Sequence, residues 1–220
     1  MRFDLLTIFP DIFSSYINES ILKLAQQNQH IKINVHNIRD YSKERHHKTD
    51  DVPYGGGPGM VMTVQPIYDC LKAVPRLPRS RVIMLDPGGT EYTQITAKKY
   101  SEQYEQIILL CGRYEGFDER VYNFVDERVS IGKYVLSGGE LAALIIVETV
   151  SRLLPGVLGD DTSSQDETFS GNLNYVEYPQ YTRPEHFITT DQKTLSVPPI
   201  LLSGNHAQIK QWRKDNQKKI

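Results

Sequence analysis

The sequence lacks the features that would commit it to several large protein classes. It has two cysteines, Cys70 and Cys111, and neither belongs to a CxxC or Cys/His spacing. A disulfide framework and a cysteine-built zinc site are thereby excluded, no metal site is expected, and a reducing cytoplasm is the compartment that fits. The longest purely apolar run, residues 141–147, is seven residues, far short of the roughly 20 that span a bilayer, so no membrane partner is expected. The N-terminal Met1-Arg2-Phe3-Asp4-Leu5-Leu6-Thr7-Ile8-Phe9-Pro10 is interrupted by Asp4 and Pro10 and does not read as a signal peptide. No charge sign dominates: 25 Lys and Arg stand against 27 Asp and Glu, a net of −2. General attraction to nucleic acid or anionic lipid is therefore absent, and any polyanion must be met by a local patch. Internal repeats and low-complexity tracts are also missing.

What remains is a globular chain of 220 residues, 39% apolar and 24% charged. That length makes one large domain, or one domain with a small appendage, and buries roughly 70% of the unfolded surface. Residues 3–9, 81–85 and 106–110 read as buried strands, and the alternating Ile31-Lys32-Ile33-Asn34-Val35 as a half-buried one. Between them lie helical patterns. Pro10 suits the first turn of a helix to about residue 28, with Phe13, Ile17, Ile21 and Leu24 on one face. Further helices are expected over 64–74, 95–103, around Phe117, Val121, Phe124 and Val125, and over 140–154. Strands alternating with helices imply an α/β fold, a mostly parallel sheet with helices on both faces. Residues 157–185 are polar, acidic and without period, a length of loop that is normally functional or a linker. A short helical tail is expected over 206–219.

Several segments carry possible chemistry beside plainer readings. Tyr54-Gly55-Gly56-Gly57-Pro58-Gly59-Met60 packs four glycines into five residues; it reads either as a flexible connector or as backbone meant for close approach to a partner. No Gly-Lys-Ser/Thr follows it and no GxGxxG joins a strand to a helix, so neither a Walker A loop nor a dinucleotide fingerprint is present. Cys111-Gly112-Arg113-Tyr114-Glu115-Gly116 directly follows a buried strand, where ligands of open α/β sheets sit; its plainer reading is an Arg–Glu pair on a surface loop. In Ser137-Gly138-Gly139-Glu140, the S-x-x-E spacing is that of a capping box, but the two glycines inside it are poor helix formers and offer bare N–H groups near a helix start. The string Leu136-Ser137-Gly138-Gly139 also matches the signature of ATP-binding-cassette ATPases, a reading that the missing Walker A lysine opposes. Arg152 lies four residues after Glu148, the spacing of a helix ion pair, and precedes the acidic Asp160, Asp161, Asp166 and Glu167. Two basic stretches, Arg39 to Lys48 and the tail from Asn205, point toward nucleic-acid phosphates. The tail sets five cations against the single acid Asp215.

Taken together, these segments resemble the bacterial tRNA (guanine-N1-)-methyltransferase family. The resemblance is carried by Asp50-Asp51-Val52-Pro53-Tyr54-Gly55-Gly56-Gly57-Pro58-Gly59-Met60, by residues 111–116 with Asp118-Glu119-Arg120-Val121, and by residues 130–140. Pro155-Gly156-Val157-Leu158-Gly159, Tyr181-Thr182-Arg183-Pro184-Glu185 and Pro198-Pro199 running into Leu202-Ser203-Gly204-Asn205-His206 extend it in order over almost the whole chain. It implies transfer of a methyl group from S-adenosylmethionine to N1 of guanosine 37 beside the tRNA anticodon. It further implies a SPOUT-type α/β fold with a deep trefoil knot, and a cytoplasmic homodimer with the active site at the subunit interface. The partner is the tRNA anticodon arm rather than DNA, and a requirement for Mg²⁺ is left open. The implied organisation is a cofactor-binding domain over 1–160, a flexible linker carrying the base over 161–185, and a short helical segment over 186–220.

The resemblance assigns cofactor contacts to Leu85, Pro87, Gly112, Glu115, Ile131, Gly132, Lys133, Tyr134, Val135, Leu136, Gly138, Gly139 and Glu177. It assigns tRNA contacts to Arg45, His46, Asp50, Gly59 and Ser163. Arg152 takes the catalytic arginine position, where a guanidinium would stabilise negative charge on O6. A carboxylate would remove the N1 proton, a role typically worth about 10²–10⁴-fold. Here the chain departs from the family: Asp166-Glu167-Thr168-Phe169 replaces Glu-Asp-Ser-Phe, placing Glu167 at the base position with Asp166 beside it. An apparent two-residue expansion between Phe169 and Pro179 brings Glu177 to the cofactor's amino group. The chain also ends soon after Gln211-Trp212-Arg213, where relatives continue with helices that grip tRNA. These departures keep a second reading in view, a relative that binds S-adenosylmethionine and tRNA with little or no transfer.

Overall fold

The apolar runs expected to be strands lie side by side in one parallel sheet. The computed structural model describes residues 1–159, 168–169 and 173–219. The elements run β1 (Arg2–Thr7), α1 (Ser14–Ile17), α2 (Ser20–Gln27), β2 (Lys32–Asn37), β3 (Asp50–Asp51), β4 (Val61–Met62), α3 (Val64–Ala73), β5 (Ser80–Glu91), α4 (Gln94–Gln103) and β6 (Gln106–Cys111). They continue with β7 (Glu127–Ser130), α5 (Glu140–Ser151), β8 (Tyr175–Val176), β9 (His186–Ile188), β10 (Thr194–Ser196), α6 (Pro199–Leu202), α7 (His206–Asp215) and β11 (Lys218–Lys219). The chain divides into two compact units, Met1–Asp161 and Thr162–Ile220.

In the first unit five strands pair in the order β2-β1-β6-β5-β7, every neighbouring pair parallel. Parallel strands need crossover connections, which place helices against both faces. β6 is therefore buried at all six residues, and its alternation splits the core in two. Ile107, Leu109 and Cys111 join Phe3, Leu5, Ile83 and Leu85 against the helical residues Leu22, Ala97, Tyr100, Ala143 and Val147. Ile108 and Leu110 join Leu6, Val82 and Met84 on the other side, against Ile67, Cys70 and Val121. Leu5 sits between Val35 and Leu109 in register, and Leu109 faces Ile83 on its other side.

Two expected helices take other forms, and a third, expected over 206–219, ends at Asp215, with Lys218–Lys219 in β11. The stretch expected as one helix to residue 28 is a 3₁₀ turn (Pro10–Phe13), then α1, then α2. Ser20 adopts a left-handed backbone (φ 48°) at the break, which resets the helical phase. Phe13 and Ile17 are buried as expected, but past the break Leu22 and Ala25 face the core and Leu24 is 56% exposed. The segment around Phe117 to Val125 is a 3₁₀ turn, Glu119–Phe124, that buries Val121. Among the described residues no helix is long and apolar enough to cross a membrane.

β1 carries one polar side chain that sequence pattern does not explain, the fully buried Asp4. Its carboxylate accepts hydrogen bonds from Arg2 Nη2 at 2.8 Å, Asn34 Nδ2 at 3.0 Å and Gln106 Nε2 at 2.8 Å, and His36 Nε2 lies 2.8 Å away. Burial alone would raise its pKa, but these hydrogen bonds together outweigh that and hold the carboxyl at about 2. The group therefore ties three strands, β1, β2 and β6, at one point.

In the second unit β9 pairs antiparallel with β10, and β8 with β11. Tyr178, Tyr181, Trp212, Arg213 and Arg183 line a cavity of about 1310 Å³, with Arg213 stacked 4.9 Å from the centre of the Tyr178 ring.

The Asp4 network makes a pH prediction. A carboxyl depressed in the folded state contributes stability that is present above its unfolded pKa and lost as pH falls through the folded value. Between about pH 4 and pH 2 the chain should lose up to roughly 2 kcal/mol through this one group. Denaturant unfolding of Asp4→Asn should show lower stability at pH 6 and a correspondingly shallower loss below pH 4; an unchanged acid limb would mean that Asp4 is not the titrating group.

Candidate active site

An irregularity inside β5 after Leu85, where its register with β7 shifts, and the loops that follow β6 and β7 enclose a cavity of about 450 Å³. That size suits a nucleoside-sized ligand, and the carboxyl edge is where open α/β sheets bind ligands. The three glycine-containing motifs, far apart in sequence, are stitched together here by backbone hydrogen bonds. Glu115 N–H donates to the Met60 carbonyl at 3.0 Å, Met62 N–H to Gly116 at 2.9 Å, and Asp118 N–H to Met62 at 2.9 Å. Gly139 N–H donates to the Gly112 carbonyl at 2.9 Å.

Close approach explains the glycines at two positions. A Cβ on Gly139 would lie 2.9 Å from Cys111 Cα and 3.1 Å from Gly112 N, both backbone atoms. A Cβ on Gly138 would lie 2.3 Å from Arg113 Nε and 2.5 Å from Glu140 Oε2. The peptide backbone itself thus forms part of the cavity wall. Neither plainer reading of these motifs holds. Arg113 pairs not with Glu115 on its own loop but with Glu140, at 3.0 Å. α5 has Gly139 as its N-cap with no side-chain cap, so Ser137 and Glu140 form no capping box; Glu140 is drawn inward instead.

Of the residues singled out by sequence as cofactor contacts, Leu85, Pro87, Gly112, Glu115, Ile131, Gly132, Tyr134, Val135, Leu136, Gly138 and Gly139 line this one cavity. Lys133 is exposed and does not line it. Glu177 lies in the second unit, where its N–H donates to Thr168 Oγ1 at 3.1 Å. Arg152 is half-buried at the C-terminal end of α5, its N–H bonded to the Glu148 carbonyl at 3.0 Å; the Glu148 carboxylate receives the Tyr16 hydroxyl. Arg45 and His46 are exposed, Asp50 is half-buried in β3, and Gly59 (φ 83°) packs against the Glu115 side chain. Asp166, Glu167 and Ser163 lie outside the described residues.

Sequence reasoning missed several lining side chains, among them Asp86, Phe117, Glu119 and Tyr122, and singled out Arg113 without assigning it a contact. The signal for Asp86 was available: it immediately follows the apolar run of β5. Tyr122 donates to Asp86 Oδ2 at 3.0 Å, and burial first, then the Asp86 carboxylate, raises the Tyr122 hydroxyl pKa. Among the described residues, the charged side chains lining the cavity are three carboxylates, Asp86, Glu115 and Glu119, and one guanidinium, Arg113. That balance suits a cationic ligand and disfavours a polyphosphate. Cys111 lies in the core behind Gly139, fully buried; burial first, and the Glu140 carboxylate second, push its thiol well above the ordinary range. Among the described residues no group of His, Cys, Asp and Glu side chains is gathered as a metal ion would need.

Comparison with known proteins places this geometry in a family. A model of the tRNA (guanine-1)-methyltransferase TrmD family matches residues 1–220. A protein of Carboxydothermus hydrogenoformans named tRNA (guanine-N(1)-)-methyltransferase is 51% identical over 215 residues, covering 97% of this chain and 81% of its own length. Proteins of the same name from Clostridioides difficile and Caldanaerobacter subterraneus are 49% and 48% identical, covering all of this chain and 94% and 88% of theirs.

The glycine contacts can be tested directly. Gly139→Ala forces backbone apart beneath the cavity and should cost about 1–3 kcal/mol. It should also speed maleimide labelling of Cys111 in the folded protein. Gly159→Ala, where an added Cβ meets nothing within 4 Å, should change neither. Equal labelling rates in both variants would show that the Gly139 contact does not hold the wall closed.

Proposed function

The chain belongs to the tRNA (guanine-1)-methyltransferase TrmD family, and we propose that it transfers a methyl group from S-adenosylmethionine to N1 of guanosine 37 in the anticodon arm of tRNA. The observation that carries the donor assignment is the cavity at the carboxyl edge of the sheet: walled by bare peptide groups, sized for a nucleoside, and lined, among the described residues, by three carboxylates against one guanidinium. S-adenosylmethionine is cationic at its sulfonium and amino groups and carries no phosphate, so it matches both the charge and the absence of a phosphate-binding motif. The residues that would hold it are the loops around Leu85 and Pro87, Gly112, 131–136 and Gly138-Gly139, largely through backbone groups. Glu177 is assigned to its amino group. The cavity loops belong to the segment that forms the trefoil knot in this reading.

When bound, the donor supplies a methyl group already activated on a sulfonium. The chain's own residues prepare the acceptor. Guanine N1 carries a proton and is a poor nucleophile until that proton leaves, so a carboxylate must take it; Glu167 is assigned that role, with Asp166 beside it. Loss of the proton builds negative charge on O6, and the guanidinium of Arg152 is assigned to stabilise it. Arg45, His46, Asp50, Gly59 and Ser163 are assigned to the tRNA, with the basic stretch Arg39 to Lys48 facing its phosphates in this reading.

The functional unit in this proposal is a cytoplasmic homodimer. α5 supports it: Leu141 and Ile145, one turn apart, are 57% and 40% exposed on a helix whose other apolar residues are buried. A second copy would cover that stripe.

Unmodified tRNA incubated with methyl-labelled donor should acquire label at guanosine 37. Arg152→Ala should cut turnover by about 10²–10³-fold while leaving donor affinity nearly unchanged, and equal loss of both would make its role structural. Glu167→Gln should be more damaging than Asp166→Asn, by about 10²–10⁴-fold against the parent; the reverse order would move the base to Asp166.

A further inference from the structure

We propose that Glu140, which does not line the cavity, is a positioning residue that sets the shape of the donor site through Arg113 and the Gly138 backbone. The inference rests on the assignment of this cavity to S-adenosylmethionine.

Glu140 opens α5 directly after the two glycines of the cavity wall, yet its side chain turns away from solvent and is 2% exposed. Both carboxylate oxygens are engaged by groups from other elements. Oε1 accepts from Thr7 Oγ1 at 2.7 Å and from Arg113 Nε at 3.1 Å; Oε2 lies 3.0 Å from Arg113 Nη2. Thr7 in turn accepts the Phe9 N–H at 2.9 Å, and the Phe9 ring lies under the Arg113 guanidinium, 4.6 Å from its centre. The guanidinium is thus held in a two-pronged ion pair on one edge and by an aromatic face on the other, a geometry that fixes its plane. Its third nitrogen, Nη1, donates to the Ser137 carbonyl at 3.4 Å.

The consequence falls on the cavity wall. Arg113 and Gly138 form a β-bridge, and the space a Gly138 side chain would need is filled by Arg113 Nε and Glu140 Oε2. The ion pair thus packs behind the point where residues 137–139 approach the 112–113 loop, beside the Gly139–Gly112 backbone hydrogen bond. Glu140 therefore ties the carboxyl end of β1, the loop after β6 and the start of α5 into one arrangement, from behind the wall. Loss of the carboxylate frees the guanidinium to leave Ser137, and the wall made of bare peptide groups loses its spacing. The predicted signature is a defect in donor recognition with the tRNA side untouched.

The test is calorimetric binding of S-adenosylmethionine to the full chain, together with steady-state methyl transfer to tRNA. Glu140→Gln should weaken donor affinity and raise the donor KM on the order of ten- to a hundredfold, with kcat and the tRNA KM changed less than about threefold. Thr7→Val removes the hydroxyl from the far side of the carboxylate at nearly constant volume, and should weaken donor binding by several-fold. Thr7→Ser, which keeps the hydroxyl, should restore it. This second pair keeps the test open if Glu140→Gln does not fold. Unchanged donor affinity in folded Glu140→Gln, or equal affinity in Thr7→Val and Thr7→Ser, would overturn the proposal. Failure of the unsubstituted chain to bind S-adenosylmethionine would instead overturn the donor assignment beneath it, and the proposal with it.

Discussion

A sheet whose strands all run one way must be covered on both faces, because every connection has to cross back over it. In this chain that requirement consumes the apolar residues of β1, β5 and β6 completely: Ile107 and Leu109 serve one layer of helices, Ile108 and Leu110 the other. No face is left on which a ligand could rest. The carboxyl edge is open, where chain leaves the strands and its peptide groups are no longer paired within the sheet. The cavity and the glycines around it sit at that edge.

Holding the edge in shape is a task for polar groups, since the apolar layers end there. β1 is fastened by buried carboxylates toward both of its ends. Asp4 binds β1 to β2 and β6 near the amino end, and Glu140 receives Thr7 at the carboxyl end while gripping Arg113. Buried ion pairs are costly to desolvate and are weak evidence of net stability. Their contribution here is geometric, because each fixes the relative position of elements that the apolar core alone would allow to slide. At the carboxyl edge that precision is needed where backbone passes backbone at Gly139 with under 3 Å to spare for a side chain.

Much of this arrangement is legible in the amino-acid sequence, and the illegible parts have common physical causes. Continuous apolar runs gave away β1, β5 and β6 because a doubly covered strand admits few polar residues. The motifs around Gly112 and Gly138 were visible as glycines placed where a helix or strand would not choose them. The split of the first helix was hidden because Ser20, not glycine or proline, takes the left-handed conformation. The Glu140 interaction was hidden for another reason: an S-x-x-E spacing has a local explanation, and nothing local reveals that Thr7 and Arg113 converge on the same carboxylate. Asp4 was similarly opaque, since a lone acid in an apolar strand finds its partners only in neighbouring strands.

The central claim is that the methyl donor lodges against the peptide groups of residues 112–116 and 131–139. Hydrogen–deuterium exchange of the full chain with and without S-adenosylmethionine measures this without relying on turnover. The account requires new amide protection concentrated in those two segments and around residues 85–89. Protection confined to residues 178–217, or none at saturating donor, would contradict it.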